Sequence, residues 1–319
     1  FYEIIFENKK KHGYAIIPAD ERISEVLCFV NNGNLSDTLQ NEGLKLFFRA
    51  INKYIKTETA KDFNVDSLYT IASNKQLSTK LSFTKSIPAF DPDVWTYVGP
   101  YSTFDTLTKL KTVPVKWGQR SPFNALVYPD PAGCSTIAVA QVMAYYKKNY
   151  KSIVDYNTWV DIVQDTSHSA IPVMIADMYS DLYWLFNSVP PFMSGVRSFL
   201  VTNGYTVGSV HSGYDFGVIF NALNYGPTII SGMENMTSGH YWIIDGVKCI
   251  SIKGYDLYIY EYLNKIFEHY EMTYSFDSDY VQFNWGHYGI SDGWFSSGVL
   301  ACPNTGDFSS YVRILSSIQ

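Results

Sequence analysis

Cys134 is the residue best placed to do covalent chemistry, because of what flanks it. The segment Tyr128-Pro129-Asp130-Pro131 cannot continue a helix. Gly133 then hands over to Ser135 through Tyr146, a run with good helix propensity and almost no charge. This predicts a helix that starts at or just after Cys134. Unpaired backbone N–H groups and the positive end of the helix dipole favour a thiolate there. Ile137, Ala138, Val139, Ala140, Val142, Met143 and Ala144 are apolar nearly all round, so the helix should run through a core. The competing reading is a buried structural cysteine, a common fate of free thiols.

A thiol nucleophile needs a base. Among six histidines, His12 lies in a lysine-rich turn, His168 in a polar stretch, and His211 and His269 among polar neighbours. His240 differs: it follows the small-residue loop Met236-Thr237-Ser238-Gly239 and opens the apolar run Tyr241-Trp242-Ile243-Ile244. That predicts an imidazole at a strand end, with Gly239 allowing a substrate backbone to approach. In Asn284-Trp285-Gly286, an amide could hold the imidazole in the required tautomer and an indole could shield it. Gln119, in Trp117-Gly118-Gln119, offers an amide donor for an oxyanion beside the nucleophile's own N–H.

The elements that must position these residues follow from pattern. Residues 1–6 and 14–18 read as the arms of a hairpin, and Val26 to Val30 as a third strand. Leu44, Phe47, Phe48, Ile51 and Ile55 recur at helical spacing over about residues 38–56. Pro92, Gly99 and Pro100 mark a boundary, with an exposed connection expected over about 97–113. After the Cys134 helix come helical pieces through 170–200, then strands near 205–207, 227–230, 241–244, 255–262 and 281–285. Asp245-Gly246 and Lys253-Gly254 read as turns. Val247 to Tyr280 should form an elaborated antiparallel hairpin at the edge of a sheet. An early buried helix before a strand-rich half says α+β.

Composition narrows the partners. The chain has 319 residues, 46% hydrophobic and 17% aromatic, with net charge −6. Lys/Arg and Asp/Glu balance at 12 each in residues 1–100, so the whole acidic excess lies beyond. Apart from Lys9-Lys10-Lys11 there is no basic run, which argues against nucleic acid. No apolar run reaches the roughly 18 residues of a transmembrane segment. The first residue is Phe1, which fits an export signal already trimmed. Cys28, Cys134, Cys249 and Cys302 form neither a disulfide framework nor a metal pattern, and we expect no bridge.

The ordered series Trp-Gly-Gln, Ala-Gly-Cys, Ala-Gln-Val-Met, Gly-His, Ile-Asp-Gly, Asn-Trp-Gly and Asp-Gly-Trp-Phe resembles the streptopain family of papain-fold cysteine proteases. Gly13-Tyr14-Ala15-Ile16-Ile17-Pro18-Ala19-Asp20-Glu21-Arg22 resembles that family's prodomain. The resemblance implies a papain-like fold, a core helix carrying the nucleophile on an antiparallel sheet, preceded by a small α+β prodomain. It implies residues 1–98 as inhibitory prodomain and 99–319 as catalytic domain, secreted or associated with the cell envelope. Cys134 would be nucleophile, His240 base and acid, and Gln119 oxyanion donor, with Asn284 and Trp285 supporting the histidine and Gly239 contacting substrate. Ser194 falls where the family has a small-residue substrate wall, although Pro190 and Pro191 depart from it. Partners would be protein or peptide substrates and the chain's own prodomain, with no metal or organic cofactor.

Two departures stand out. His287 occupies a position where the family often has a second tryptophan, and the stretch between His240 and Asn284 is long. Two other readings stay open: a transglutaminase- or amidase-like enzyme, favoured if Asp245 meets the imidazole, and a non-catalytic binding protein on a decayed protease scaffold.

Overall fold

The computed structural model describes residues 2–8, 11–19, 26–30, 90–91, 93–151, 156–165, 167–186, 192–235, 238–262, 265–302 and 306–319. The helix expected over 38–56 and the prolines at 190 and 191 lie outside them. The described chain is mixed α and β, with five helices and one large antiparallel sheet.

The strands are β1 (Tyr2–Asn8), β2 (Lys11–Ile17), β3 (Cys28–Val30), β4 (Thr96–Leu110), β5 (Val210–Ser212) and β6 (Thr228–Met233). They continue with β7 (Gly239–Tyr262), β8 (Lys265–Asn284), β9 (Gly293–Ser296), β10 (Ala301–Cys302), β11 (Gly306–Asp307) and β12 (Ser310–Leu315). The helices are α1 (Cys134–Tyr146), α2 (Tyr156–Gln164), α3 (Ala170–Phe186), α4 (Met193–Thr202) and α5 (Phe216–Ala222). The large sheet runs β1-β2-β3-β9-β8-β7-β6-β12-β5, and β4 pairs with β7.

The chain divides into two compact units. One takes in residues 1–58, 108–248 and 279–319; the other takes in 59–107 and 249–278. The N-terminal strands fall in the unit that carries Cys134 and His240. β3 joins β9 in register, Cys28 opposite Phe295 and Val30 opposite Gly293. In the second unit an aromatic group fills the described part. Phe90 stacks on His269 with centroids 3.7 Å apart, Trp95 tilts against Tyr260, and the Tyr97 hydroxyl donates to Asp256 at 3.2 Å.

The first unit has a core on each face of its sheet, because strand side chains alternate. One holds α1 with Ile229, Tyr241 and Ile243; the other holds Ile230, Trp242 and Ile244. In α1 every residue from Ser135 to Ala144 is buried, as its unbroken apolar sequence required.

Several local expectations change. The stretch 97–113 is exposed over most of its described length, as expected, but it is strand and not loop: β4 occupies most of it. Its Thr, Tyr, Val and Leu favour extended backbone, outweighing Gly99 and Pro100. Asp245-Gly246 and Lys253-Gly254 do not turn, since β7 runs through both. Gly246 serves close approach instead; a Cβ there would lie 2.7 Å from Gln282 Oε1 and 2.9 Å from Leu110. The β7–β8 hairpin is long as expected; its base lies inside the sheet, Gly239–Ile244 against β6 and Tyr280–Phe283 against β9, while residues 249–278 belong to the second unit. Residues 205–207 contribute only a bridge, Val207 to Ile318.

Candidate active site

Cys134 is the first residue of α1, and Gly133 before it takes φ 82°. That left-handed backbone suits glycine, and a second constraint excludes a side chain: a Cβ would lie 2.8 Å from the Tyr183 hydroxyl. Cys134 as a residue is half-buried. Burial pushes it above its ordinary pKa, while backbone N–H groups of Tyr241, Ser135 and Cys134 itself pull the other way. The thiol therefore lies against the peptide that links His240 to Tyr241.

His240 is the second residue of β7, on the same strand face as Trp242, and it is buried. Its Nε2 lies 2.9 Å from the carbonyl of Trp285. A carbonyl only accepts, so Nε2 carries the proton, and Nδ1 of the neutral ring keeps its lone pair. Burial, reinforced by His287, lowers the imidazole to about 3, against the Trp285 carbonyl, which favours the charged form. At neutral pH the site thus holds a thiol and a neutral imidazole. Among the described contacts no hydrogen bond joins the two side chains: α1 packs on the Tyr241 face of β7 and the imidazole leaves on the other, so they meet only at the peptide between His240 and Tyr241. The Tyr241 nitrogen is about 2.4 Å from the His240 Cα by standard geometry.

Asn284 is buried but turns to a different partner. Its amide exchanges hydrogen bonds with Gln141 of α1, Nδ2 to Oε1 at 3.2 Å and Nε2 to Oδ1 at 3.3 Å. Gln141 Oε1 also accepts from the Trp117 N–H at 3.0 Å. Asn284 thus ties β8 to α1, and the main chain of Trp285 takes the role of orienting the imidazole. Trp285 is fully buried, its N–H donates to Asp292 at 2.8 Å, and its ring stacks near His240 with centroids 6.3 Å apart. Asp245 does not reach the imidazole; it accepts from the Val113 N–H at 3.1 Å.

Gln119 is half-buried, and its carbonyl accepts from the Ala132 N–H at 2.7 Å, just ahead of Cys134. Gly118 bridges His287, and the Arg120 N–H donates to the Tyr288 hydroxyl at 2.9 Å. The loop bearing Gln119 is therefore held from both sides. Gly239 leaves no room beside it, since a Cβ would lie 2.7 Å from Met233 Sδ, so its smallness serves the β6–β7 pairing. Ser194 is exposed in the first turn of α4.

The residues missed by sequence reading are Gln141, Tyr183 and the pair His287–Cys302. A lone amide in an otherwise apolar helix was a usable signal for Gln141. Tyr183 gave none, because only the fold brings α3 over Gly133.

Residues 1–55 match the family model of the Spi protease inhibitor. The N-terminal segment is thus similar to an inhibitor domain of proteases, as a propeptide would be. No curated protein matches the chain. Among the described residues no group of ligands could hold a metal ion, and no helix is long and apolar enough to cross a membrane.

Proposed function

We propose that this chain is the zymogen of an exported cysteine endopeptidase of the streptopain type, with a papain-like catalytic domain beyond about residue 98. The observation that carries the reading is an inhibitor-like segment in the same chain as a helix-start thiol lying against the strand of a buried histidine. The His240 Nδ1 lone pair takes the proton of Cys134, and the sulfur attacks the scissile carbonyl carbon. The oxyanion accepts from the Cys134 N–H and the Gln119 amide. As the tetrahedral adduct collapses, the leaving amine receives the proton from Nδ1. Water then attacks the thioester, His240 takes its proton, and the carboxylic acid leaves as the thiol regains a hydrogen.

Latency has support of its own in β3, which extends the sheet through β9 and β8 to the strand of His240. The transglutaminase- or amidase-like reading finds no support in Asp245, which is bonded to Val113. The test incubates full-length protein beside its Cys134→Ala variant, with casein as substrate, with and without an irreversible thiol-directed inhibitor. The wild type should shorten from its N-terminus and gain inhibitor-sensitive activity while the variant stays whole. Casein cleavage by Cys134→Ala at the wild-type rate would sink the reading.

A further inference from the structure

His287 stands where the resemblance led to an aromatic wall, and its surroundings form a second cluster of ionisable side chains beside the proposed site. Its ring lies face-on to His240, with centroids 5.1 Å apart and planes 27° from parallel. Its Nδ1 lies 3.7 Å from the Cys302 thiol, within hydrogen-bonding reach for sulfur. Its backbone bridges Gly118, the neighbour of Gln119. One residue thus touches the base through its ring and the oxyanion side through its main chain.

We propose that His287 is a positioning residue for the Cys134–His240 pair: anchored by Cys302, its ring is the wall that holds the His240 imidazole with Nε2 on the Trp285 carbonyl. The proposal rests on the protease reading of the preceding subsection. A ring on a Cα–Cβ bond has three staggered positions, and one hydrogen bond through Nε2 does not select among them firmly. Flat neighbours on the ring's faces do. Trp242 and Trp285 stack on His240 with centroids 5.9 Å and 6.3 Å away, Phe308 tilts at 5.2 Å, and His287 is the nearest of these rings.

A histidine differs from a tryptophan here in one respect: it can be charged. Burial holds His287 at about 4, so it is neutral when the site would work. As acid protonates either ring, two facing cations would repel, and each ring resists the other's protonation. The other ionisable groups about the pair are Cys302 at His287 Nδ1 and Cys28, which interacts with Cys302 in the buried core. Asp292 meets the Trp285 N–H and pairs with Lys116 at 2.8 Å. The remaining stacked neighbours carry no charge.

The test follows the rate of Cys134 alkylation by iodoacetamide across pH in the full chain, read by mass spectrometry on the Cys134 peptide. Three variants are compared: His287→Phe, His287→Ala and Cys302→Ala. His287→Phe keeps a flat wall and removes the charge, so the neutral-pH rate should stay within about twofold of wild type while the acid limb moves to higher pH. His287→Ala should lower the neutral-pH rate roughly tenfold, because the base is no longer held in one rotamer. Cys302→Ala, which does not touch His240, should give a smaller loss in the same direction. Circular dichroism and Tm confirm that each variant is folded. If folded His287→Ala keeps the wild-type rate and acid limb, or if Phe fails as badly as Ala, the proposal is overturned. His240→Ala sets the floor: should it alkylate like wild type, the Cys134–His240 reading beneath fails, a result separate from either of those.

Discussion

The two cores on either face of the sheet are built differently. The core around α1 is drawn wholly from residues beyond 112, from Val113 to Ile318. The opposite core, which backs His240 through Trp242 and Trp285, also takes in Tyr14, Ile16, Leu27, Cys28 and Val30. The thiol is therefore supported by chain beyond residue 112, and the imidazole also by the inhibitor-like segment. The surroundings of Cys134 and of His240 need not depend equally on the inhibitor-like segment.

The largest test of that difference deletes residues 1–30. Five buried side chains at roughly 1.5–3 kcal/mol each amount to about 10 kcal/mol, comparable to the stability of a whole domain. We expect Tm to fall by about 10 °C or more, and hydrogen exchange to quicken in β8 and β9 well before α1. Equal loss of protection in α1 would break the comparison.

Acid should act on the same face. His240 and His287 are neutral when folded, lowered to about 3 and about 4, whereas an unfolded histidine titrates near 6.5. Below that value the unfolded chain gains protons that the folded chain refuses, so stability falls as pH drops from about 6.5 toward 3. For His240 alone the loss is on the order of 4 kcal/mol. Asp245 runs the other way: burial, against Lys116 and the Val113 N–H, raises it to about 6. Its burden appears as pH rises from about 4 through 6, and Asp245→Asn should remove it, by about 3 kcal/mol at most. Urea titrations at pH 4, 5.5 and 7 read both signs, and a chain most stable at pH 4 would contradict the histidine assignment.

A smaller effect is expected from Gln141→Ala on the α1 side, which leaves the Trp117 N–H and the Asn284 amide without their partner. The cost should be about 2–4 kcal/mol. Calorimetry should show it without any change in the acid limb. The smallest concerns the seam with β3. A Cβ on Gly293 would lie 2.2 Å from the Phe29 carbonyl oxygen, so Gly293→Ala should loosen β3 at about 1–2 kcal/mol. Faster appearance of casein cleavage in that variant would sharpen the link between seam and latency; an unchanged lag would remove it.

What was legible in the sequence were features carried by neighbours in the chain. The breaker run before Cys134 and the charge-free stretch after it announced α1, and the apolar run after His240 announced β7. What was hidden depended on partners far apart in sequence. Gly246 looked like a turn because its collision with Gln282 and Leu110 exists only once the strands are side by side. Asn284 was expected on the imidazole because nothing in its neighbourhood revealed Gln141. His287 read only as a missing tryptophan, since Cys302 reaches it through the fold.

The pairing of β6 with β7 has a further consequence. His240 lies opposite Gly232, where any Cβ would come within 1.9 Å of the Phe308 carbonyl oxygen, and Gly239 lies opposite Met233, whose sulfur fills its side. These two tight fits act as an index stop. Sliding β7 by one position would press a side chain into a space that has none, and it would also exchange the faces on which imidazole and phenol emerge. The chain is thus keyed mechanically to a single alignment, so that the His240 imidazole cannot emerge on the other side of the sheet.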